Sequence, residues 1–135
     1  MNVLFVCKFN VFRSQVAEAY LKKINKRVNV KSVGVIREVK GFPKVGKIAK
    51  TKGLKLKGKS EGLNTKVIKW ADVIVIVADN VPKGIFTKKK VLVWKVKDVY
   101  PKECNEVKKR MKIIKQIMKK VDRLNEKLEK GKWKQ

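Results

Sequence analysis

The sequence predicts a single α/β domain over residues 1–135, in which a four-stranded, mainly parallel sheet carries helices on both faces. Four short apolar runs rich in β-branched residues alternate with amphipathic stretches, an order typical of parallel sheets with right-handed crossovers. At 135 residues, the chain is also long enough to close a core without cross-links.

The first elements are a strand, a helix and a second strand. Residues 2–6 form a continuous apolar run, which is typical of a strand buried on both faces. Residues 14–25 place apolar side chains on one side at helical spacing, and residues 28–35 return to a strand pattern.

Two short helices are predicted next. Residues 43–52 begin with a proline and are followed by Gly53, which are the usual start and stop signals of a helix. Residues 64–70 form another helical turn, with Asn64 or Thr65 as its N-cap.

The second half supplies two more strands and a long helix. Residues 72–79 and 91–96 are β-branched runs that predict core strands. Residues from about 103 to 130 predict one long docked helix. Its apolar positions are Val107, Met111, Ile114, Met118, Val121 and Leu128.

The charge of the chain is unusual, because 37 Lys and Arg outweigh 11 Asp and Glu and give a formal charge of +26. Such a field attracts polyanions, whether nucleic acid, acidic lipid or phosphorylated protein. The excess is spread along the chain, so a solvated lysine-rich surface is the simpler interpretation. A nucleic-acid-binding face stays open, although no zinc-ligand spacing or RNA-stacking motif accompanies the charge.

The composition also bears on location and on the cysteines. No apolar run reaches the roughly 20 residues of a membrane-spanning helix, and the apolar start is too short for a signal peptide. We therefore expect a cytoplasmic protein. A lone disulfide between Cys7 and Cys104 is a weak hypothesis in such a chain, so both are interpreted as thiols.

A loop of the form Cys-x5-Arg-Ser, residues 7–14, runs from the first strand directly into the first helix. Its backbone N–H groups and the unsatisfied donors of the helix start converge and form a cradle for a tetrahedral oxyanion. Arg13 can add a bidentate contact, and Asn10 tolerates a left-handed backbone. The positive potential favours the thiolate of Cys7, which predicts a nucleophile directed at phosphorus. The alternative is a small core cysteine with a coincidental arginine.

A second candidate follows the predicted strand 91–96, at the sheet edge where α/β proteins bind ligands. Asp98 lies there and can protonate a leaving oxygen, an effect worth roughly 10²- to 10⁴-fold in rate. A solvated loop carboxylate or a salt bridge with a nearby lysine is the alternative.

These features resemble the low-molecular-weight protein tyrosine phosphatases and the related thioredoxin-coupled arsenate reductases. The segments "VLFVC", "RS" and "AEA" follow that family's N-terminal order, and "KSVG", "ADVIVIVAD" and "KDVYP" extend the likeness towards the closing helix. The resemblance implies a phosphatase I-like fold and hydrolysis of phosphotyrosine or small aryl phosphates, with binding of phosphate- or sulfate-type anions. It implies no metal and no other cofactor.

The resemblance also implies a role for each site residue. Cys7 would form a phosphocysteine, Arg13 would bind the phosphoryl oxygens, and Asp98 would act as general acid. Ser14 would hydrogen-bond the leaving thiolate, while Asn10 and Ser32 would hold the loop. The implied substrate-binding residues are Lys8, Phe9, Asn10, Val11, Phe12, Arg13, Ser14 and Tyr100.

The sequence departs from the family pattern in the loops. Val99 follows Asp98 where Asp-Pro is common, and Phe9 and Phe12 replace smaller residues, which predicts a bulkier and more apolar pocket mouth. Gln15 favours the arsenate-reductase branch. That branch uses two further cysteines after the third strand, and the corresponding segment "VADNVPKGIFTKKK" has none. A reductase that uses an external thiol stays open.

Overall fold

The computed structural model describes residues 1–87 and 89–131, in which strands and helices follow one another in the predicted order. The strands are β1 (Asn2–Cys7), β2 (Asn29–Gly34), β3 (Val73–Val77) and β4 (Val91–Trp94). The helices are α1 (Arg13–Ile24), α2 (Pro43–Lys50), α3 (Thr65–Trp70) and α4 (Glu106–Glu129). Each element lies within three residues of its predicted bounds.

The four strands form one sheet in the order β2-β1-β3-β4, and every pairing is parallel, which confirms the predicted sheet. The last residues of the paired strands are in register, with Cys7 opposite Gly34 and Val77 opposite Trp94. The segments that follow β1, β3 and β4 therefore emerge along the same edge. This register brings the two predicted reactive segments together.

Strand β1 alternates its side chains between two apolar layers. Val3 and Phe5 face the larger layer, which α1, α2 and α4 cover, and Leu4 and Val6 face a smaller layer that includes α3. Strand β4 is an edge strand with Val93 exposed, so the expectation of a core strand is wrong there. Its β-branched pattern resembles that of a buried strand because one of its faces still packs on the core.

The buried side of α4 differs from the predicted stripe. Val107 is exposed, and Met111, Met118 and Leu128 are only partly buried. The inner positions are Glu106, Arg110, Ile114, Ile117, Val121 and Leu124. The prediction fails in the first turns because the inward positions there are Glu106 and Arg110, a buried ion pair one residue before the expected Val107 and Met111.

Smaller features follow the sequence signals. The Asn64 side chain accepts a hydrogen bond from the Val67 N–H at 2.8 Å, as predicted for an N-cap. Cys7 is buried and Cys104 is exposed, and both are free thiols. No helix in the described part of the chain is long and apolar enough to cross a membrane.

Candidate active site

The cysteine loop, residues 7–14, begins at the last residue of β1 and ends in the first turn of α1. Asn10 adopts the predicted left-handed backbone, with φ at 54°. This turn directs the Asn10 N–H to Cys7 Sγ at 3.2 Å, and Ser14 Oγ lies 3.0 Å from the same sulfur. Cys7 is only 2% exposed, so both contacts form in a largely dehydrated site.

The direction of the Ser14 hydroxyl follows from the Asn10 amide. Asn10 Nδ2 donates its two hydrogens to Ser14 Oγ at 2.7 Å and to Ser32 Oγ at 2.9 Å. Ser32 in turn donates to Glu18 Oε1 at 2.6 Å. Because Ser14 Oγ accepts from Asn10, its own hydrogen is free to point at the Cys7 sulfur. Two donors therefore face the sulfur.

Gln15 fixes the outer side of the same loop. Its Nε2 donates to the carbonyl of Asn10 at 2.7 Å and to that of Lys59 at 3.1 Å, and its Oε1 accepts from the Gly58 N–H at 3.2 Å. Glu61 N–H also donates to Asn10 Oδ1 at 2.9 Å. Every hydrogen-bonding atom of the Asn10 side chain is thus occupied, which holds the loop in one conformation.

These contacts leave the start of α1 with unused donors. Ser60 Oγ donates to the Phe9 carbonyl at 2.7 Å, and Gln15 takes the Asn10 carbonyl. The first N–H groups of an α-helix have no acceptor within the helix, and these two preceding carbonyls do not supply one. Among the described residues no acceptor contacts these N–H groups, although Arg13 and Ser14 are buried. Buried donors of this kind at a helix start form an anion receptor.

Gly34 permits the cysteine loop to lie against the end of β2. A Cβ at this position would lie 2.6 Å from the Phe9 carbonyl carbon and 2.7 Å from the Asn10 nitrogen. Both neighbours are backbone atoms of the loop, so the loop would have to move to accept any side chain.

Arg13 connects the cysteine loop to the segments after β3 and β4. Its guanidinium donates to the Val96 carbonyl at 2.9 Å and to Asn80 Oδ1 at 3.2 Å. It also lies 3.7 Å from Asp79 Oδ1 and 3.4 Å from Asp98 Oδ2. Two of its five N–H donors take part in hydrogen bonds to the protein, which leaves the others for a ligand. The structure thus brings Arg13 and Asp98 together, as the sequence predicted for one site.

The acid loop, residues 97–105, is held from below by α4. Arg110 donates to the Val99 carbonyl at 2.8 Å and to Glu106 Oε2 at 2.9 Å. Glu106 Oε1 accepts from the Lys102 N–H at 2.8 Å. The hydrogen bonds from Arg110, then Lys102, lower the pKa of Glu106 to about 2, so this group is ionised at neutral pH.

A cleft of about 110 Å³ lies between the two loops. Phe9 and Val11 line one wall, and Asp98, Val99 and Tyr100 line the other. Tyr100 is 60% exposed at the rim, where a ring can stack on an incoming group.

Phe12 does not line this cleft. Its ring is 1% exposed in the main core and lies under the Arg110 guanidinium at 4.7 Å, so the expected contribution to a bulkier mouth is wrong. Only its backbone N–H is left to serve a ligand. Lys8 extends beside the Phe9 ring, with Nζ 5.2 Å from the ring centre.

Several residues of the site escaped the sequence interpretation. Asp79 and Asn80 follow the carboxyl end of β3, where ligands bind in such sheets. That position indicated a site, but no motif distinguished these two residues from solvated loop residues. Glu18 lies in the segment "AEA", but nothing in that segment indicates its contact with Ser32, and Arg110 carries no local signal at all, because the partners of both residues come from distant segments. No group of His, Cys, Asp or Glu among the described residues is arranged to hold a metal ion.

A cysteine beneath an anion receptor, on a parallel α/β sheet with an arginine and a carboxylate alongside, defines a thiol-centred oxyanion site. Comparison with protein families agrees with this class. The chain belongs to the low molecular weight phosphotyrosine protein phosphatase family, whose model matches residues 2–132. No curated protein sequence matches significantly.

Solved structures of several enzymes share this fold. A low molecular weight protein tyrosine phosphatase from T. tengcongensis has a TM-score of 0.79 at 23% identity, covering 94% of this chain and 99% of that one. The YwlE arginine phosphatase from Geobacillus stearothermophilus has a TM-score of 0.76 at 23% identity, covering 96% and 94%. An arsenate reductase from Archaeoglobus fulgidus has a TM-score of 0.71 at 26% identity, covering 90% and 97%.

Proposed function

We propose that the protein hydrolyses phosphate monoesters, with phosphotyrosine and other aryl phosphates as its substrates, through a phosphocysteine on Cys7. The observation that carries this proposal is the pair of donors, Asn10 N–H and Ser14 Oγ, directed at the Cys7 sulfur beneath the unused N–H groups of α1. Such a site favours a thiolate and binds a tetrahedral dianion over it. Membership of a phosphatase family supports the same reaction.

The reaction has two steps. The Cys7 thiolate attacks phosphorus, the ester P–O bond breaks, and Asp98 gives its proton to the leaving oxygen. Water then attacks the phosphocysteine, Asp98 takes a proton from that water, and the P–S bond breaks to release phosphate and the thiolate. Arg13 and the N–H groups of the cysteine loop hold the phosphoryl oxygens throughout.

Substrate binding is expected to loosen the contact between Arg13 and Asp98. A phosphoryl group that binds the free donors of Arg13 competes with Asp98 Oδ2 for the same positive charge. Substrate binding thus releases Asp98 from Arg13.

The cleft favours an aromatic leaving group. Most of its lining residues are apolar or aromatic, Phe9, Val11 and Tyr100 among them, and a phenyl ring buries well against such residues. A YwlE arginine phosphatase variant, a cysteine-to-serine mutant with a phosphorylated active site serine, shares the fold with a TM-score of 0.77 at 21% identity. Phosphoarginine is therefore the competitor substrate to include in a test.

The arsenate-reductase alternative draws support from the Archaeoglobus fulgidus structure. An internal relay would need two more thiols, and the chain has two cysteines in all, of which Cys104 is exposed. Arsenate reduction here would consume an external thiol, whose oxidation to a disulfide supplies two electrons. No observation on the site favours nucleic acid as its ligand.

The direct test compares wild type, Cys7→Ser and the matched control Cys104→Ser on p-nitrophenyl phosphate. We expect at least ~1,000-fold loss of turnover in Cys7→Ser and full turnover in Cys104→Ser, because the exposed thiol has no part in the reaction. Phosphotyrosine peptides should be hydrolysed faster than phosphoserine or phosphoarginine peptides. Turnover that survives in Cys7→Ser, or thiol-dependent arsenate loss without ester hydrolysis, would overturn the proposal.

A further inference from the structure

A groove larger than the cleft lies beside the cysteine loop. It has a volume of about 410 Å³, within the roughly 300–1,000 Å³ of ordinary ligand pockets. Helix α2 and the segment before it form one wall, and the cysteine loop and residues 56–60 form the other. The proposed two-step hydrolysis through Cys7 and Asp98 makes no use of this space.

The groove is positively charged and has no acidic residue in its lining. Lys40, Lys47 and Lys50 line it, and all three side chains are exposed. Within residues 1–87 and 89–131, no carboxylate contacts their ammonium groups. Lys47 and Lys50 are one helical turn apart on α2 and therefore face the groove together. Lysines grouped without counter-charges are complementary to an acidic occupant.

The groove also lies directly beside the cleft. Val11 and Phe42 line both spaces. An extended peptide advances about 3.3 Å per residue, and a chain whose phosphorylated side chain enters the cleft would reach the groove within a few residues.

The floor of the groove distinguishes a peptide from other polyanions. Val11, Phe42 and Leu56 supply apolar surface beneath the lysines. A single-stranded nucleic acid binds through its phosphates to a basic groove and also stacks its bases on aromatic rings, and Phe42 is the one aromatic residue in this lining. A segment that alternates apolar and acidic side chains matches both the floor and the rim.

We propose that this groove binds an acidic segment of the phosphorylated protein substrate, a few residues from the phosphorylated side chain. The inference rests on the proposed phosphatase function and specifies its substrate class. Under this proposal, part of the large positive charge of the chain lies next to the active site and binds substrate there.

The test uses two phosphotyrosine peptides, one with glutamates flanking the phosphorylated residue and one with glutamines in their place. The groove variant is Lys47→Gln with Lys50→Gln. The matched control, Lys119→Gln with Lys127→Gln, removes the same charge from exposed positions of α4 outside the groove. Hydrolysis of p-nitrophenyl phosphate by wild type reports separately on the proposed function, so failure of either idea is distinguishable.

We expect the ratio of kcat/KM for the glutamate peptide over the glutamine peptide to fall about 3- to 10-fold in the groove variant, mainly through KM. The control should keep the wild-type ratio within about 2-fold, as expected for screened distant charges. Equal effects of the two variants would overturn the proposal, because they would show a general surface field. Inhibition of wild type by a short RNA that the groove variant escapes, with no peptide preference, would also overturn it.

Discussion

The cysteine loop and the acid loop meet at the same edge of the sheet, but the protein holds them in different ways. Neutral amides and hydroxyls, chiefly from Asn10, Gln15 and Ser32, fix the cysteine loop in the interior. Charged groups hold the acid loop, through the pair of Glu106 with Arg110 and through the contact of Arg13 with Asp98. The first loop is therefore preformed, whereas the second responds to charge.

The backbone of the two loops shows the same contrast. The cysteine loop has one left-handed residue, Asn10, and an asparagine tolerates that conformation well. In the acid loop, Lys102 has φ at 64°, and Asn105, the last residue before α4, has φ at 55°. A lysine at positive φ costs about 1–2 kcal/mol, which the hydrogen bond from its N–H to Glu106 helps to offset. The acid loop thus depends on Glu106 for its shape.

The largest effect is expected when the acid of the charged loop is removed. Asp98→Asn should lower kcat/KM by roughly 10²- to 10⁴-fold on phenyl phosphate, since kcat/KM reports on the first step, in which a phenoxide leaving group needs the proton. The loss on p-nitrophenyl phosphate should be much smaller, because p-nitrophenoxide leaves without help. Parallel kinetics on the two esters check this, and equal losses would exclude Asp98 as the proton donor.

The next effect concerns the preformed loop. Asn10→Ala and Asn10→Gly both remove the side-chain amide, but glycine accepts the left-handed backbone at φ 54° without strain. We expect each to lower kcat/KM by about 10- to 100-fold, because Ser14 loses the contact that directs its hydroxyl at Cys7. If the glycine variant keeps wild-type activity, the backbone turn alone organises the cysteine loop, and the Asn10 side chain is not needed to hold it.

The smallest effect is expected from Glu106→Gln and depends on pH. The folded protein lowers the pKa of Glu106 from the usual 4.5 to about 2, so ionised Glu106 contributes stability above about pH 4.5. That contribution is lost as the pH falls towards 2. The variant should be less stable than wild type by about 1 kcal/mol at pH 7, and the two should converge near pH 2. Urea unfolding at several pH values measures this, and a difference independent of pH would contradict it.

The two loops also differ in how far the sequence predicted them. The cysteine loop was predicted nearly whole, because its residues are contiguous and a strand and a helix fix its ends. The sequence predicted Asp98 as a site residue but predicted none of its contacts. Nothing near it in the chain indicated that Arg13 contacts it or that Arg110 and Glu106 support its loop. Those partners come from other segments, and they became neighbours only through the parallel register of the sheet and the docking of α4.

The fold itself followed from periodicity, with two exceptions that have physical causes. Strand β4 has a β-branched pattern but is an edge strand, because it pairs with β3 on one side and with no other strand of the described residues on the other. The first turn of α4 buries Glu106 and Arg110 and exposes Val107, since this turn supports the acid loop. Both departures therefore occur on the side of the molecule that carries the acid loop.

The reactivity of Cys7 towards iodoacetamide tests most directly whether an anion receptor lies over this sulfur. Peptide-resolved mass spectrometry gives the alkylation rates of Cys7 and of the exposed Cys104 in the same sample, with and without inorganic phosphate. We expect phosphate to slow the alkylation of Cys7 and to leave that of Cys104 unchanged, because the anion binds at the start of α1 above the Cys7 sulfur. Equal Cys7 rates with and without phosphate would contradict this assignment of the site.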